Sequence, residues 1–297
     1  MTRICTLLFT ISVLCVLGFP ATAQQPAEAQ PAVVEKKVPT VEEILTRAAA
    51  AMAKINDYTG RMIKHERFGK DVEKAVMEFK FARPFKVYIK YISPHKGREA
   101  IFKRGWNDNE VKVHKGDFPD LTLNLDTLGS TAMDENHHPV TDFGLENTIL
   151  ISGNNLRKAI KRSEGEFKVT DAGQVLGQPA WKIEARFPKG GTFTTAKDNE
   201  TLWDIGKRTG QDAFIIMNAN KDFDDPDDPD EGDKVFIPRY YGGRSEFIVN
   251  KETGMPIKVS TWDWNGRLYE SYEYPVLKFN VGLTAKDFDP DNKAYDF

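Results

Sequence analysis

The chain has 297 residues and a formal net charge of −3, and its two cysteines are Cys5 and Cys15. The near-neutral charge, without a dense Lys/Arg stripe interleaved with aromatic residues, excludes nucleic acid as a predicted partner. Beyond Cys15 the lack of cysteine excludes disulfides, thiolate metal sites and cysteine nucleophiles.

The first 23 residues have the pattern of a secretory signal. Arg3 is followed by an apolar run from Ile4 to Phe19 and then by Ala21, Thr22 and Ala23. A short positive region, an apolar core and an A-x-A cleavage site are typical of such signals. We therefore expect export to the periplasm or cell envelope, and no integral membrane segment after cleavage.

A disordered linker is predicted over residues 24–39, which are rich in Pro, Ala and Gln and have no periodicity. Order is predicted to begin at Thr40, because Thr40 and Glu43 have the spacing of a capping box. Apolar residues at helical spacing then predict an amphipathic helix. These residues are Ile44, Leu45, Ala48, Ala51, Met52 and Ile55.

Strands with one buried face are predicted along most of the remaining chain. In "MEFKF", Met77, Phe79 and Phe81 share one face, and "FKVYIKY" repeats this alternation. "REAIFKRG", "EVKVHKG", "EFKVTDAG" and "PAWKIEARF" predict more strands, and "LENTILISGNNLRKAIKRS" predicts a second helix. The turns "KETG" and "WNG" join three strands near the C-terminus. The predicted fold class is α+β, with a curved, mostly antiparallel sheet (an unclosed barrel) and covering helices.

Several of these segments resemble an exported family called domain of unknown function 1571. They are "DYTGRMIKHERF", "FKFARPFKVYIKY", "VNKETGMPIKVSTWDWNGRLYESYEY" and "VGLTAKDFDP". The resemblance implies one discontinuous domain, residues 40–190 and 242–297, similar in layout to the lipoprotein-carrier and sigma-factor-regulator fold. In that broader group the concave face often holds acyl chains, so a lipid, a lipoprotein or another protein is an expected partner.

Residues 191–241, called the insert below, interrupt the pattern of strands. In "TLWDIGKRTG", Thr201 with Asp204 predicts the start of a helix and Gly210 its end. Asp212 is predicted to cap a second helix, and "KVFIP" to form a closing strand. With a short strand near Thr194, this βααβ order resembles the LysM module, which binds N-acetylglucosamine glycans such as peptidoglycan.

The LysM resemblance implies a glycan-binding groove between two loops. The implied residues are Asp198, Asn199, Glu200, Thr201 and Leu202 in the first loop and Asn218, Ala219, Asn220 and Lys221 in the second. The family's usual Gly-Asp is replaced by Asn199-Glu200. Asn tolerates a left-handed backbone, so the turn is expected to persist.

Three other groups of residues each have two interpretations. The acidic segment 222–233 faintly resembles a calcium loop but lacks its spacing, so a solvated charged loop is favoured. His137 and His138, among acidic residues, suggest either a metal site or, as the favoured interpretation, a polar surface loop. The aromatic residues either line a ligand cavity or pack across strands. They are Trp262, Trp264, Tyr269, Tyr272 and Tyr274.

The predicted function is that of an exported, non-enzymatic envelope protein without a cofactor. Its LysM module would bind peptidoglycan, and its β body would hold an apolar ligand or a protein partner. One alternative is a periplasmic hydrophobic-ligand carrier or envelope sensor with a degenerate LysM module. A cell-wall hydrolase is a third, disfavoured because the chain contains no H-E-x-x-H or G-x-S-x-G motif.

Overall fold

The computed structural model describes residues 37–223 and 225–297. The predicted signal and most of the predicted linker lie outside these described residues. Residues Val38–Phe297 form one compact unit, and this unit contains all the elements below.

The unit is built mainly from β-strands. They are β1 (Asp57–Phe68), β2 (Asp71–Ala82), β3 (Lys86–Ser93), β4 (Glu99–Lys103), β5 (Val111–His114), β6 (Thr122–Leu125), β7 (Glu166–Val175), β8 (Gln178–Arg186), β9 (Gly191–Thr195), β10 (Lys234–Pro238), β11 (Arg244–Asn250), β12 (Pro256–Trp262) and β13 (Leu268–Phe279). The α-helices are α1 (Val41–Met52), α2 (Ser130–Met133), α3 (Leu145–Lys161), α4 (Leu202–Thr209) and α5 (Ala213–Ala219). Short 3-10 turns lie at Asn107–Asn109, Val140–Asp142 and Ala285–Phe288.

Eleven of these strands form one sheet in the order β6-β5-β4-β3-β2-β1-β13-β12-β11-β8-β7. Each pair of neighbours is antiparallel. The order begins at β6 and ends at β7, so the sheet is open at these two strands. The predicted curved, unclosed antiparallel sheet of an α+β protein is therefore confirmed.

Helices α1 and α3 cover one face of the sheet. The predicted capping box at Thr40 and Glu43 is present, with hydrogen bonds of 3.2 Å and 2.6 Å. Leu45 and Ala48 of α1 and Leu145 and Leu156 of α3 are buried in the main core with apolar residues from both halves of the sheet. The apolar stripes of the two helices therefore hold the curved sheet around a common core.

The insert has the predicted βααβ order. Strand β9 pairs with β10 from Gly191 opposite Pro238 to Thr195 opposite Lys234. Helix α4 begins with a capping box at Thr201 and ends at Gly210, which has the left-handed φ of 70°. Because β8 and β11 are neighbours in the large sheet, the insert lies within a connection between two paired strands.

The insert is also packed against the rest of the unit. Leu202, Ile205 and Ile216 form a small core of its own, together with apolar residues of β10. Phe214 and Ile215 of α5 instead belong to a second apolar cluster, with Met133 of α2 and Tyr269 of β13. One face of α5 is therefore buried against the large sheet.

Tyr58 links the sheet to the start of α3, since its buried hydroxyl oxygen accepts a 2.9 Å hydrogen bond from the Leu145 backbone amide. We expect Tyr58→Phe to lower the free energy of unfolding by about 1–3 kcal/mol, because the buried amide loses its acceptor. Tyr274→Phe is the matched control, because its buried hydroxyl makes only a 3.4 Å contact with Thr148. Urea unfolding measures both variants, and equal losses would contradict the role given to the Tyr58 hydroxyl.

Candidate functional site

The concave side of the sheet encloses a cavity of about 530 Å³. Most of its wall is apolar. The period-two alternation of β1, β2, β3 and β5 points apolar side chains into the cavity, and α3 adds others. Examples are Met62, Met77, Phe79, Ile89, Val113 and Leu145. The partly exposed Leu121 and Leu123 also line the cavity, beside the open edge of the sheet at β6. The cavity therefore offers an apolar surface that begins at an exposed edge.

A cluster of buried polar side chains forms one part of the same wall. The register of β1 and β13 places Glu66 directly opposite Glu270, and Lys64 opposite Tyr272. Like charges directly opposite each other on two strands destabilise a sheet unless other groups compensate them. Both carboxylates are nearly inaccessible, at 3% exposure for Glu66 and 4% for Glu270. Two carboxylates buried in this register are stable only when positive charges and hydrogen-bond donors lie beside them.

Lys64 compensates Glu66. Its Nζ lies 2.7 Å from Glu66 Oε2 and also donates to the Glu135 carbonyl oxygen at 2.5 Å and to Asn136 Oδ1 at 2.6 Å. The Tyr272 hydroxyl donates to the other oxygen, Glu66 Oε1, at 2.5 Å. The ammonium group therefore uses all three donors, and it fixes the segment after α2 to β1.

Glu270 is compensated by two histidines and a tyrosine. His137 Nδ1 and His138 Nε2 each lie 3.2 Å from Glu270 Oε2. The Tyr241 hydroxyl donates to Glu270 Oε1 at 2.8 Å. Lys64, Glu66, His137, His138, Tyr241, Glu270 and Tyr272 are called the polar cluster below.

The pKa values of these groups are shifted by burial and by their partners. Burial acts to raise the pKa of Glu270 and of Glu66, but the neighbouring histidines and Lys64 outweigh it and hold both pKa values below the ordinary one. Burial lowers the pKa of His138, but the charge of Glu270 outweighs it and raises that pKa to about 10. The pKa of Tyr272 is raised by burial and by Glu270. Its hydroxyl therefore stays protonated and donates a hydrogen bond to Glu66.

The insert contributes to this site through the start of α5. Asp212, which caps α5 by accepting from the Ile215 amide at 3.0 Å, has Oδ2 3.5 Å from His138 Nδ1. The Phe214 ring stacks on the His137 ring at 5.3 Å, and Tyr269 stacks on His137 at 4.4 Å. The insert therefore packs against both histidines.

The interpretation of His137 and His138 as a polar surface loop is wrong. His137 is only 1% exposed, and both side chains reach the same oxygen of Glu270. The two neighbours converge because they lie in an irregular segment between α2 and a 3-10 turn rather than on a strand, where successive side chains alternate.

In the first predicted glycan-binding loop, three backbone amides have partners within the protein. The Glu200 amide donates to the Lys197 carbonyl, the Thr201 amide to Asp204, and the Leu202 amide to the Pro226 carbonyl at 2.7 Å. Asn199 has the expected left-handed backbone, with φ of 54°. Asp198 is exposed, whereas the Leu202 side chain is fully buried in the core of the insert.

The second predicted loop lines a separate cleft of about 690 Å³ between the insert and the large sheet. Asn218, Ala219, Asn220 and Lys221 lie on this cleft, and residues 198–202 do not. Asn220 has a structural role there, because its side chain exchanges hydrogen bonds with both backbone groups of Phe236 at 2.8 Å. The described cleft thus brings the second loop together with Trp203 and Trp264 rather than with the first loop.

The aromatic residues singled out in the sequence divide between three places. Tyr272 and Tyr274 line the cavity, whereas Trp264 and Tyr269 line the cleft. Trp262 lies under the Arg244 guanidinium, 4.4 Å from the ring centre, and packs across strands. The cavity interpretation therefore holds for Tyr272 and Tyr274, and the cross-strand interpretation holds for Trp262.

Sequence reasoning missed Lys64, Glu66 and Glu270. The signal was present, because Met62, Lys64 and Glu66 alternate along β1 on the same face as the buried Tyr58. In β13 the alternation of Glu270, Tyr272 and Tyr274 has the same property. Charged residues in phase with buried ones along a strand predict a buried polar site.

Comparison with known proteins identifies one family. The model of the family described as "Protein of unknown function (DUF1571)" matches residues 55–231 and 238–297 and so runs through most of the insert. No curated protein sequence matches the chain.

Several solved structures are similar at low identity. A DUF1329 family protein from Desulfovibrio piger is 11% identical over 84% of this chain and 97% of its own, with a TM-score of 0.36. A LolA superfamily protein from Nitrosomonas europaea is 9% identical over 84% and 98%, with a TM-score of 0.33. The Mycobacterium tuberculosis lipoprotein LppX is 8% identical over 84% and 100%, with a TM-score of 0.37.

None of the helices in residues 37–223 and 225–297 combines the length and apolar character needed to cross a membrane.

Lys64 is expected to be required for stability. We expect Lys64→Met to lower the free energy of unfolding by about 3–5 kcal/mol, because Glu66 would remain buried without its cation. Arg61→Met on the same strand is the control, since Arg61 and Glu78 form a half-exposed pair that should contribute less than about 1 kcal/mol. Urea unfolding compares the two variants, and a similar loss in both would contradict the buried-pair assignment.

Proposed function

Because the chain belongs to the DUF1571 family, whose function is unknown, we propose its function from the geometry of the cavity. The protein is an exported cell-envelope protein that holds an apolar ligand, such as a fatty acyl chain, on the concave side of its sheet. The observation that carries this proposal is the cavity of about 530 Å³ with a mainly apolar wall. The signal pattern of the first 23 residues supports export.

The size and lining of the cavity fit a single chain-like ligand. Its volume lies within the roughly 300–1,000 Å³ of sites that enclose small molecules. Each buried methylene contributes about 0.8 kcal/mol, so ten methylenes contribute roughly 8 kcal/mol before the entropy lost on association is subtracted. An acyl chain can therefore bind without a strong polar contact.

The edge of the cavity also suits an apolar ligand. Leu121 and Leu123 are 43% and 38% exposed and belong to the cavity lining. Large apolar side chains left exposed beside a concave site are typical of binding surfaces. They would give an acyl chain a path from the open β6 edge into the cavity.

A substitution that fills the cavity should prevent ligand uptake. Val113 lines the cavity and is half-buried on β5, near the edge of the sheet, so Val113→Trp is expected to weaken binding of a fluorescent fatty acid at least tenfold. Val276→Trp is the matched control, because Val276 is 45% exposed and lies outside the cavity lining. Fluorescence titration and native mass spectrometry of the folded variants measure uptake. If the wild-type protein takes up no fatty acid, or if both variants take it up equally, the proposal is wrong.

The cleft favours a second proposal, in which the insert is a LysM module that binds peptidoglycan. It is supported by the βααβ order of the insert and by the cleft, which Asn218 and Lys221 line together with Trp203 and Trp264. Aromatic faces beside a few polar groups are typical of small-molecule sites. In this proposal the second predicted loop provides the contacts, and the first loop stabilises the module.

Co-sedimentation with purified peptidoglycan tests this second proposal. The double variant Asn218→Ala/Lys221→Ala is expected to reduce the sedimented fraction severalfold, because both side chains line the cleft. Lys207→Ala is the control, since Lys207 is exposed on α4 and lies outside the cleft lining. If the wild-type protein stays in the supernatant, the insert has no glycan-binding role, and fatty-acid binding in the cavity is unaffected by that result.

A further inference from the structure

We propose that Glu66, His137 and Glu270 form a binding site for a divalent first-row transition-metal ion, with Zn²⁺ as the ion that the ligand set suits best. One potential ligand atom from each residue lies within 4.8 Å of the other two, and all three residues are buried. Imidazole nitrogen with carboxylate oxygen is a common ligand set for zinc. The three residues come from β1, the segment after α2, and β13, so the ion would join three separate parts of the chain.

The orientation of His137 is that of a metal ligand. Its Nε2 lies 3.1 Å from the Arg67 carbonyl oxygen, which can only accept, so Nε2 carries a proton. The other ring nitrogen, Nδ1, faces Glu270 Oε2 at 3.2 Å, and it either donates to this oxygen or, as a lone pair, can bind a cation. Two acceptors at this distance repel each other unless a cation or a second ring proton lies between them. A histidine that donates one ring N–H to a carbonyl presents its other nitrogen in the way metal sites use.

The distances are close to those of a tetrahedral site. Zinc–ligand bonds of about 2.0–2.2 Å at tetrahedral angles place neighbouring ligand atoms about 3.3–3.6 Å apart. His137 Nδ1 and Glu270 Oε2 already have nearly this separation. Glu66 lies on the adjacent strand, directly opposite Glu270, with a carboxylate oxygen within 4.8 Å of both other ligand atoms, so a movement of its side chain by at most about 1.5 Å would complete the set.

The two carboxylates have protein partners beside the proposed ion. Lys64 Nζ lies 2.7 Å from Glu66 Oε2, and His138 Nε2 lies 3.2 Å from Glu270 Oε2. The carboxylates are also oriented by hydrogen bonds, from Tyr272 to Glu66 and from Tyr241 to Glu270. Such outer hydrogen bonds are a regular part of metal sites, because they hold the ligands in place.

The ion would have a route to this site. Glu66 and Glu270 both line the cavity, whereas His137 lines the cleft, so an ion would reach the two carboxylates from the cavity. A site with three protein ligands and one open position is typical of zinc that binds water or another small ligand.

Direct ion binding tests the proposal. The full-length protein, purified without a histidine tag and treated with a chelator, is titrated with Zn²⁺ by calorimetry and with Co²⁺ by visible absorption. We expect one ion per chain, a Co²⁺ spectrum of tetrahedral type, and a melting temperature that rises with ion concentration. If neither ion binds at this stoichiometry, the site does not exist.

Variants identify the ligands. Glu270→Gln and His137→Gln are each expected to weaken Zn²⁺ binding more than about 100-fold, since even the loss of an outer partner costs 10–100-fold. His65→Gln is the control, because His65 is next to Glu66 on β1 but, on an alternating strand, belongs to the other face. Circular dichroism confirms that each variant is folded, and Glu66→Gln, at the third proposed ligand, replaces any variant that is not. Unchanged affinity in the ligand variants, or an equal loss in His65→Gln, would overturn the assignment.

Discussion

The antiparallel register of β1 and β13 places two carboxylates, Glu66 and Glu270, opposite each other on the buried side of the sheet. An isolated buried carboxylate is several kcal/mol less stable than one in water, and two neighbouring ones are worse. Other segments of the chain supply the positive charge and the hydrogen-bond donors that stabilise these two carboxylates. Lys64 lies two residues from Glu66 on the same strand, and His137, His138 and Tyr241 approach from other segments.

This constraint gives the insert a structural role in addition to any binding role. Asp212 and Phe214 at the start of α5 lie against the two histidines, and Tyr241, just after β10, donates directly to Glu270. Removing the insert would expose the histidines to water and take away part of the compensation of Glu270. The family match through most of the insert is consistent with a segment on which the body depends. The insert is therefore more than a module placed in a permissive loop.

The fold was predictable from the sequence to the extent that its signals are local. The cap at Thr40, the alternation in β2, and the caps of α4 and α5 depend on neighbouring residues, and the structure has each of them. In β3 the predicted alternation is wrong for Tyr88, which is buried with Phe288 on the opposite face of the sheet. The polar cluster was not predictable in this way, because Glu66 and Glu270 come together only through the pairing of β1 with β13. The surface interpretation of His137 and His138 rests on the opposite directions of adjacent side chains on a strand, whereas their irregular segment lets both reach Glu270, which is distant in sequence.

The two parts of the cavity wall have different consequences for a ligand. A net hydrogen bond contributes about 1 kcal/mol, whereas ten buried methylenes contribute about 8 kcal/mol, so the apolar wall determines affinity. The polar cluster instead determines which headgroup is tolerated. Lys64 already uses its three donors within the protein, so the cluster favours a neutral headgroup over an anionic one at this end. A metal ion held by Glu66, His137 and Glu270 would reverse that preference, because its open position would attract a carboxylate or phosphate oxygen.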